Sequence, residues 1–300
     1  MSAKIRKKHG VNRIEKGEWG FMILSFLPFL LFAYYTVVPV FNAIYQSFYT
    51  YSGYGELTSD MYVGWQNYID ILSDPRFGEA ALNDLYILIG KMVMVVLLAV
   101  TFSVSLTRLK FHKVEVNVLR FLYYIPNILS IVVIAKVWQY FFDLELFSIL
   151  INQPTPLEGW IGLAPVPIVT FVASWCGIGV FMIILIAAIN NISKELYEAA
   201  DLDGAGQIRQ LFSITIPSVL PQVRYMLVSI LISIIGSNMN FVKLFIGDGG
   251  SFTVMGVYQY YHAFSLYELG YAYAASVLLM LLTFAVSFPL NQLISKKERD

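Results

Sequence analysis

Six stretches of this chain, at about residues 21–44, 86–107, 118–142, 166–189, 223–246 and 272–294, are each long and apolar enough to cross a bilayer. A helix needs about 20 predominantly apolar residues to span the hydrocarbon core. In lipid every backbone N–H and C=O must find a partner within the protein, which leaves helices as the economical way to cross. The expected fold is therefore an all-α integral membrane protein with six transmembrane helices. Pro28, Pro39, Pro126 and Gly236 fall inside these stretches, where neighbouring helices or polar groups can satisfy the freed backbone. Composition agrees: 58% of residues are hydrophobic and only 13% charged, against about a quarter charged in a soluble domain. The basic N-terminus followed by an apolar run from Phe21 looks like the start of a signal peptide. The run continues past Val40 with no small-residue cleavage pattern, so it reads as an uncleaved first span. Residues 1–20 form a basic tail and 21–300 the membrane domain.

Charge placement orients the spans. Cytoplasmic connections are enriched in Lys and Arg. One set of alternate connections carries Lys4, Arg6, Lys7, Lys8, Arg13 and Lys16, then Arg108, Lys110, Lys113 and Arg120, then Lys194, Arg209 and Arg224, and finally Lys296, Lys297 and Arg299; the other set holds only Arg76, beside Asp60, Asp70, Asp74 and Glu79. Both termini and the 190–222 loop are thus expected in the cytoplasm. Lys91, Lys136 and Lys243 fall within spans near their outer ends. Two readings fit them: snorkelling to the outer interface, or a place at the mouth of a polar cavity.

The 190–222 loop reads as two short helices joined at a glycine turn. Ser193 is a suitable N-cap, and Glu195 in the first turn suits the helix dipole. Leu196, Ala199 and Ala200 share a face at helical spacing. Asp203-Gly204 ends the helix, because glycine accepts the left-handed geometry of a C-cap. Ile208, Leu211 and Phe212 form a second apolar face, and Pro217 and Pro221 are expected to punctuate the entry to the fifth span.

Glu198-Ala199-Ala200, followed by Asp203-Gly204-Ala205, Phe212, Ile214, Ile216-Pro217 and Leu220-Pro221, resembles the EAA loop of ABC-importer permeases. Tyr62-Val63-Gly64-Trp65-Gln66-Asn67-Tyr68 with Asp74-Pro75-Arg76-Phe77 resembles the first external segment of the sugar-permease branch, of the maltose or multiple-sugar type. The stretch 258–264 with Gly270-Tyr271 and Ala274-Ala275 is similar to that branch's approach to the sixth span. The chain departs from the family at Ser193, where a proline is usual before the EAA helix, and at Gly247-Asp248-Gly249-Gly250-Ser251, which lacks the usual closing proline.

The resemblance implies a type I ABC importer permease fold and a permease subunit in a bacterial cell membrane that moves a sugar or oligosaccharide. Its partners would be a second homologous permease, two cytoplasmic ATPase subunits and an extracytoplasmic solute-binding protein. ATP and Mg would sit on the ATPases, with no cofactor on this chain. The loop helix would dock in an ATPase groove through Glu198, Ala199, Ala200, Asp203, Gly204, Ala205 and Pro217. A self-packed amphipathic helix lying on the membrane surface is the alternative for this loop, although it has few basic residues with which to grip anionic lipid.

A sugar site needs hydrogen-bonding groups and flat apolar faces. The fifth span holds the densest polar set, Ser229, Ser233, Ser237, Asn238 and Asn240. The serines repeat at i+4 and lie on one face, which suits either helix packing or a pathway. Asn127 and Trp138, with Tyr124 and Gln139, are the third-span candidates.

The single cysteine, Cys176, permits no intrachain disulfide or cysteine-based zinc site, and His9, His112 and His262 are far apart. No GxxxxGK[ST] phosphate loop is present, no catalytic constellation appears, and nothing points to nucleic acid. The alternatives are an ABC permease for a glycerophosphodiester, polyamine or oligopeptide, and an ion-coupled secondary transporter. The latter favours acidic residues within spans, and none lies inside the six boundaries above.

Overall fold

The computed structural model describes residues 16–108, 112–142, 165–246 and 252–296. Its described elements are α1 Lys16–Gln46, α2 Gln66–Ser73, α3 Pro75–Arg108, α4 Lys113–Ile128, α5 Ile131–Phe142, α6 Pro165–Asn190, α7 Lys194–Leu202, α8 Gln207–Gln210, α9 Ile216–Ile246, α10 Met255–Phe264 and α11 Leu269–Lys296, with a 3-10 turn at Ser59–Met61 and a π-helical turn at Leu211–Thr215. Among the described residues five helical runs are long and apolar enough to cross a membrane, and α4 with α5 make a sixth if that bent pair is one crossing.

Three boundaries differ from the sequence expectation in ways that matter. The third span is not straight: the axis turns by 106° between α4 and α5. Leu129 is extended, and Ser130 starts the next helix, its Oγ accepting from Val132 N–H at 3.2 Å. Ile128, Leu129, Ser130 and Ile131 are exposed at this elbow. The second span begins at Pro75 instead of near residue 86. Proline suits a first helical position, and the Asp74 carboxylate caps the helix by accepting from Arg76 N–H at 2.9 Å. The 34-residue α3 is therefore about 51 Å long at 1.5 Å per residue, and Asp84 lies on it. The fifth span begins at Ile216, ahead of the expected 223. The π-helical turn links it to α8 without a break, Ile216 N–H donating to the Leu211 carbonyl, so Pro217 follows inside a continuous helical path and removes one donor from it where the ladder changes from π to α.

The bundle is organised around α3 and α6. Val95, Ala99, Leu185, Met226 and Ile230 are buried in one cluster, and Ile87, Val169, Val172, Val242 and Val254 in another. Gly179 lets α4 cross α6 at close range: a Cβ there would lie 2.3 Å from the Tyr123 carbonyl oxygen. On the opposite side from α7, α2 packs beneath α11. Asn67 Nδ2 donates to the carbonyls of Ser47 and Tyr49 at 2.8 and 3.0 Å. Apart from its contact with α11, α1 presents its apolar surface outward, with Leu24 and Phe32 each 70% exposed.

Candidate functional site

The loop between α6 and α9 is the better defined of the two candidate regions. α7 starts after Ser193, as expected, but the Ser193 hydroxyl donates to the Glu195 carboxylate and makes no capping bond to the backbone. The helix closes in a Schellman arrangement. Ala205 N–H donates to the Ala200 carbonyl at 2.9 Å and Gly204 N–H to Asp201 at 3.0 Å, with Gly204 left-handed at φ +73°. This geometry fits the two-bond pattern in which the residue after the cap sits in the left-handed region. A Cβ at Gly204 would have nothing within 4 Å, so only the backbone angle demands glycine there.

The two faces of this loop have different surroundings. Tyr197 and Asp201, one turn apart, face the rest of the protein. The Tyr197 hydroxyl is 3.0 Å from the buried Thr215 hydroxyl, and Gln210 Nε2 donates to the Asp201 carboxylate and to the Ala205 carbonyl. The outer face carries Leu196, Glu198 and Ala199, all exposed, with Leu202 90%, Ile208 75% and Phe212 64% exposed. Ala200 and Ala205 are half-buried and Asp203 and Pro217 exposed. Of the two predicted apolar faces, Leu196, Ala199, Ile208 and Phe212 are uncovered on this chain, Ala200 and Leu211 turn partly inward, and Leu202, not expected there, joins the exposed set. Exposed apolar patches of this kind, rimmed by polar residues, mark interaction sites.

The expected substrate residues do not gather in one described cavity. Asn238 is 2% exposed, and its Nδ2 donates to Asp84 Oδ1 at 3.1 Å. The other Asp84 oxygen accepts from Met255 N–H at 2.9 Å, at the start of α10. Next to it, Asn83 Nδ2 donates to the Thr253 carbonyl at 2.9 Å. Asp84 is thus an acidic residue inside a helix of the bundle, contrary to the sequence expectation, and it ties α3 to α9 and α10. Asn240 and Asn127 are exposed. Ser233 is exposed and its hydroxyl donates back to Ile230 at 2.9 Å, while the Ser237 side chain lies outside the described residues. Trp138 packs edge-on against Phe141, Phe171 and Trp175. Gln139 Nε2 donates to the Leu244 carbonyl at 3.0 Å.

The three basic residues placed in spans differ. Lys136 is exposed, as snorkelling requires. Lys243 stands 3.0 Å over the Tyr260 ring. Lys91 is buried, which a snorkelling side chain is not.

The segments that carried the external resemblance converge. Tyr258 packs on Phe77, and its hydroxyl lies 2.7 Å from the Tyr271 hydroxyl and donates to Asp74 Oδ2 at 2.7 Å. Burial, with those two hydrogen bonds, pushes the Tyr258 phenol above its ordinary range, so it stays a neutral donor to Asp74. Beside this cluster a cavity of about 490 Å³ is lined in part by Tyr51, Asp70, His262, Tyr267 and Glu268. No group of three or more potential metal ligands occurs among the described residues.

Comparison with known proteins gives a consistent picture. Residues 99–300 match the family described as binding-protein-dependent transport system inner membrane component. The chain is 29% identical over 282 residues to the probable ABC transporter permease protein YurN of Bacillus subtilis, covering 88% of this chain and 92% of that one. It is 30% identical over 278 residues to the arabinooligosaccharides transport system permease protein AraP of Halalkalibacterium halodurans, covering 87% and 82%. Its fold is similar to a chain in the crystal structure of a bacterial ABC transporter involved in the import of the acidic polysaccharide alginate. There the TM-score is 0.78 at 19% identity, over 94% of this chain and 96% of that chain.

Proposed function

Because the chain belongs to the family of binding-protein-dependent transport system inner membrane components, we propose that it is the sugar- or oligosaccharide-translocating permease subunit of an ABC importer in a bacterial cell membrane. Relatives named for arabinooligosaccharides, starch degradation products, diacetylchitobiose and multiple sugars support the substrate class. A fold relative solved with an oligosaccharide-bound periplasmic protein supports delivery by a binding protein. The chain is not an enzyme. ATP and Mg act on separate ATPase subunits, and a second, related permease completes the pathway.

The observation that carries this mechanism is the uncovered apolar face of Leu196, Leu202, Ile208 and Phe212 around Glu198. A face of this kind on the cytoplasmic side has no lipid to cover it and fits a groove on an ATPase subunit. Co-purification with the partner permease and ATPase, followed by reconstitution with the binding protein, tests this reading. An oligosaccharide from a panel of arabinose-, glucose- and N-acetylglucosamine-based chains should stimulate ATP hydrolysis, and failure of every such chain would remove sugar as the substrate class. Glu198→Ala should leave α7 folded, since the side chain is exposed, but weaken ATPase retention by about 0.5–1.5 kcal/mol for one lost polar contact. Pull-down against salt concentration measures it. Unchanged retention would exclude Glu198 from the contact.

The distribution of Lys and Arg supports an orientation with both termini and α7 in the cytoplasm. In a Cys176→Ser background, an impermeant maleimide should label Glu56→Cys in intact cells and Lys194→Cys only after permeabilisation. Labelling of both in intact cells would overturn the arrangement.

A further inference from the structure

The loop proposed to meet the ATPase is fastened to the bundle by few polar contacts, and one side chain from another helix joins two of them. Arg108 is the last residue of α3, where the helix dipole favours a cation. Its guanidinium carbon sits 3.6 Å above the centroid of the Tyr197 ring on α7. Its Nη2 donates to Thr215 Oγ1 at 3.0 Å. The same Thr215 hydroxyl is 3.0 Å from the Tyr197 hydroxyl, so arginine, tyrosine and threonine close a ring of three contacts. Thr215 ends the π-helical turn and is fully buried; such turns are frequent at functional sites. Around this ring lies a cavity of about 380 Å³, lined in part by Val104, Arg108, Asp201 and Leu211. Guanidinium suits the role because its plane stacks on a ring while its edge still donates, which an ammonium cannot do.

We propose that Arg108 is a positioning residue that transmits movement of the loop to α3, acting through Tyr197 and Thr215. The proposal rests on the loop docking an ATPase. A push on α7 reaches α3 through this ring, and α3 also carries Asp84, Asn83 and the Asp74 cap at its far end. One rigid helix therefore connects the loop to the Tyr258 cluster.

The test uses the assembled transporter with its ATPases, in a Cys176→Ser background with a reporter at Glu79→Cys, an exposed position near the outer end of α3. The rate of maleimide labelling at that reporter is measured before and after trapping with ATP and vanadate. The parent complex should change its labelling rate severalfold. Arg108→Gln and Thr215→Val should each reduce that change to less than twofold while retaining the ATPase subunits and basal ATP hydrolysis. Thr215→Ser, which keeps the hydroxyl, should respond like the parent, and Arg108→Lys should recover only part of the response. A full response in both Arg108→Gln and Thr215→Val would overturn the proposal while leaving the permease function standing. Loss of the ATPase from either variant would also overturn it, because these residues would then build the docking face itself. If the parent chain retains no ATPase, the proposed function fails, and this proposal with it.

Discussion

Gly204→Val is expected to lower uptake by up to roughly 5–30-fold while all membrane helices remain inserted, and Gly204→Asn is expected to keep most of it. The residue stands at φ +73° with open space where a Cβ would project, so the substitution meets no neighbour and acts only through the backbone. An L side chain in the left-handed region costs about 1–2 kcal/mol, and asparagine, whose short side chain can hydrogen-bond locally, tolerates it better than valine. A penalty of that size changes a conformational ratio by roughly 5–30-fold. The loop with valine relieves it by abandoning the Schellman bonds from Ala205 and Gly204, which re-aims Ile208 and Phe212 relative to α7. Uptake in cells, with ATPase pull-down from the same membranes, separates the variants. Equal uptake by the valine and asparagine variants would show that the turn is not what couples this loop.

Asp84→Ala is expected to give the largest loss of stability among substitutions of polar residues in the bundle. Its carboxylate accepts from Asn238 Nδ2 and from Met255 N–H, and Asn238 Oδ1 is already buried without a partner. Removing the acceptor strands two buried donors at about 1–3 kcal/mol each. The melting midpoint of the detergent-purified complex should fall by about 5 °C or more at a few degrees per kcal/mol. Asp84→Asn should fall in between, since an amide oxygen can serve only one of the two donors well. Asn238→Ala should lower the midpoint in the same way, whereas the exposed Asn240→Ala should leave it unchanged. A drop for Asn240→Ala and none for Asn238→Ala would reverse the roles assigned to these two residues.

The span count was legible because 20-residue apolar runs have few alternative explanations, and Gly204 because a glycine at a helix end reports a local backbone need. Asp84 was missed for a physical reason: hydropathy begins a span where charges stop, whereas α3 begins where Asp74 and Pro75 allow a helix to start. The elbow at Ser130 was hidden because Ile131, Val132 and Val133 continue the apolar run without a break. Pro217 and Pro221 pointed to a loop boundary, yet both stand inside a helical path that runs on through the π-helical turn into α9, with Pro221 in the helix interior. The ring of Arg108, Tyr197 and Thr215 joins residues up to 107 positions apart, and no periodicity in a single segment reports such a meeting. Asn238 stood out in the sequence as part of the polar set of the fifth span, but its partner is another side chain of the same bundle.

The elbow between α4 and α5 bears on what can lie beside this chain in a membrane. Where the helix breaks, several carbonyl and amide groups lose their intrahelical partners, and the flanking Ile128 and Leu129 leave that stretch uncovered on this chain. Bare backbone of this kind does not face hydrocarbon; it persists where other protein or a water-filled passage covers it. α4 has 16 residues, which places the break about 24 Å along the helix from its start, a shorter distance than the roughly 30 Å of a hydrocarbon core. The elbow therefore marks a side of this chain that lipid alone does not cover: other protein or a water-filled passage must lie against it.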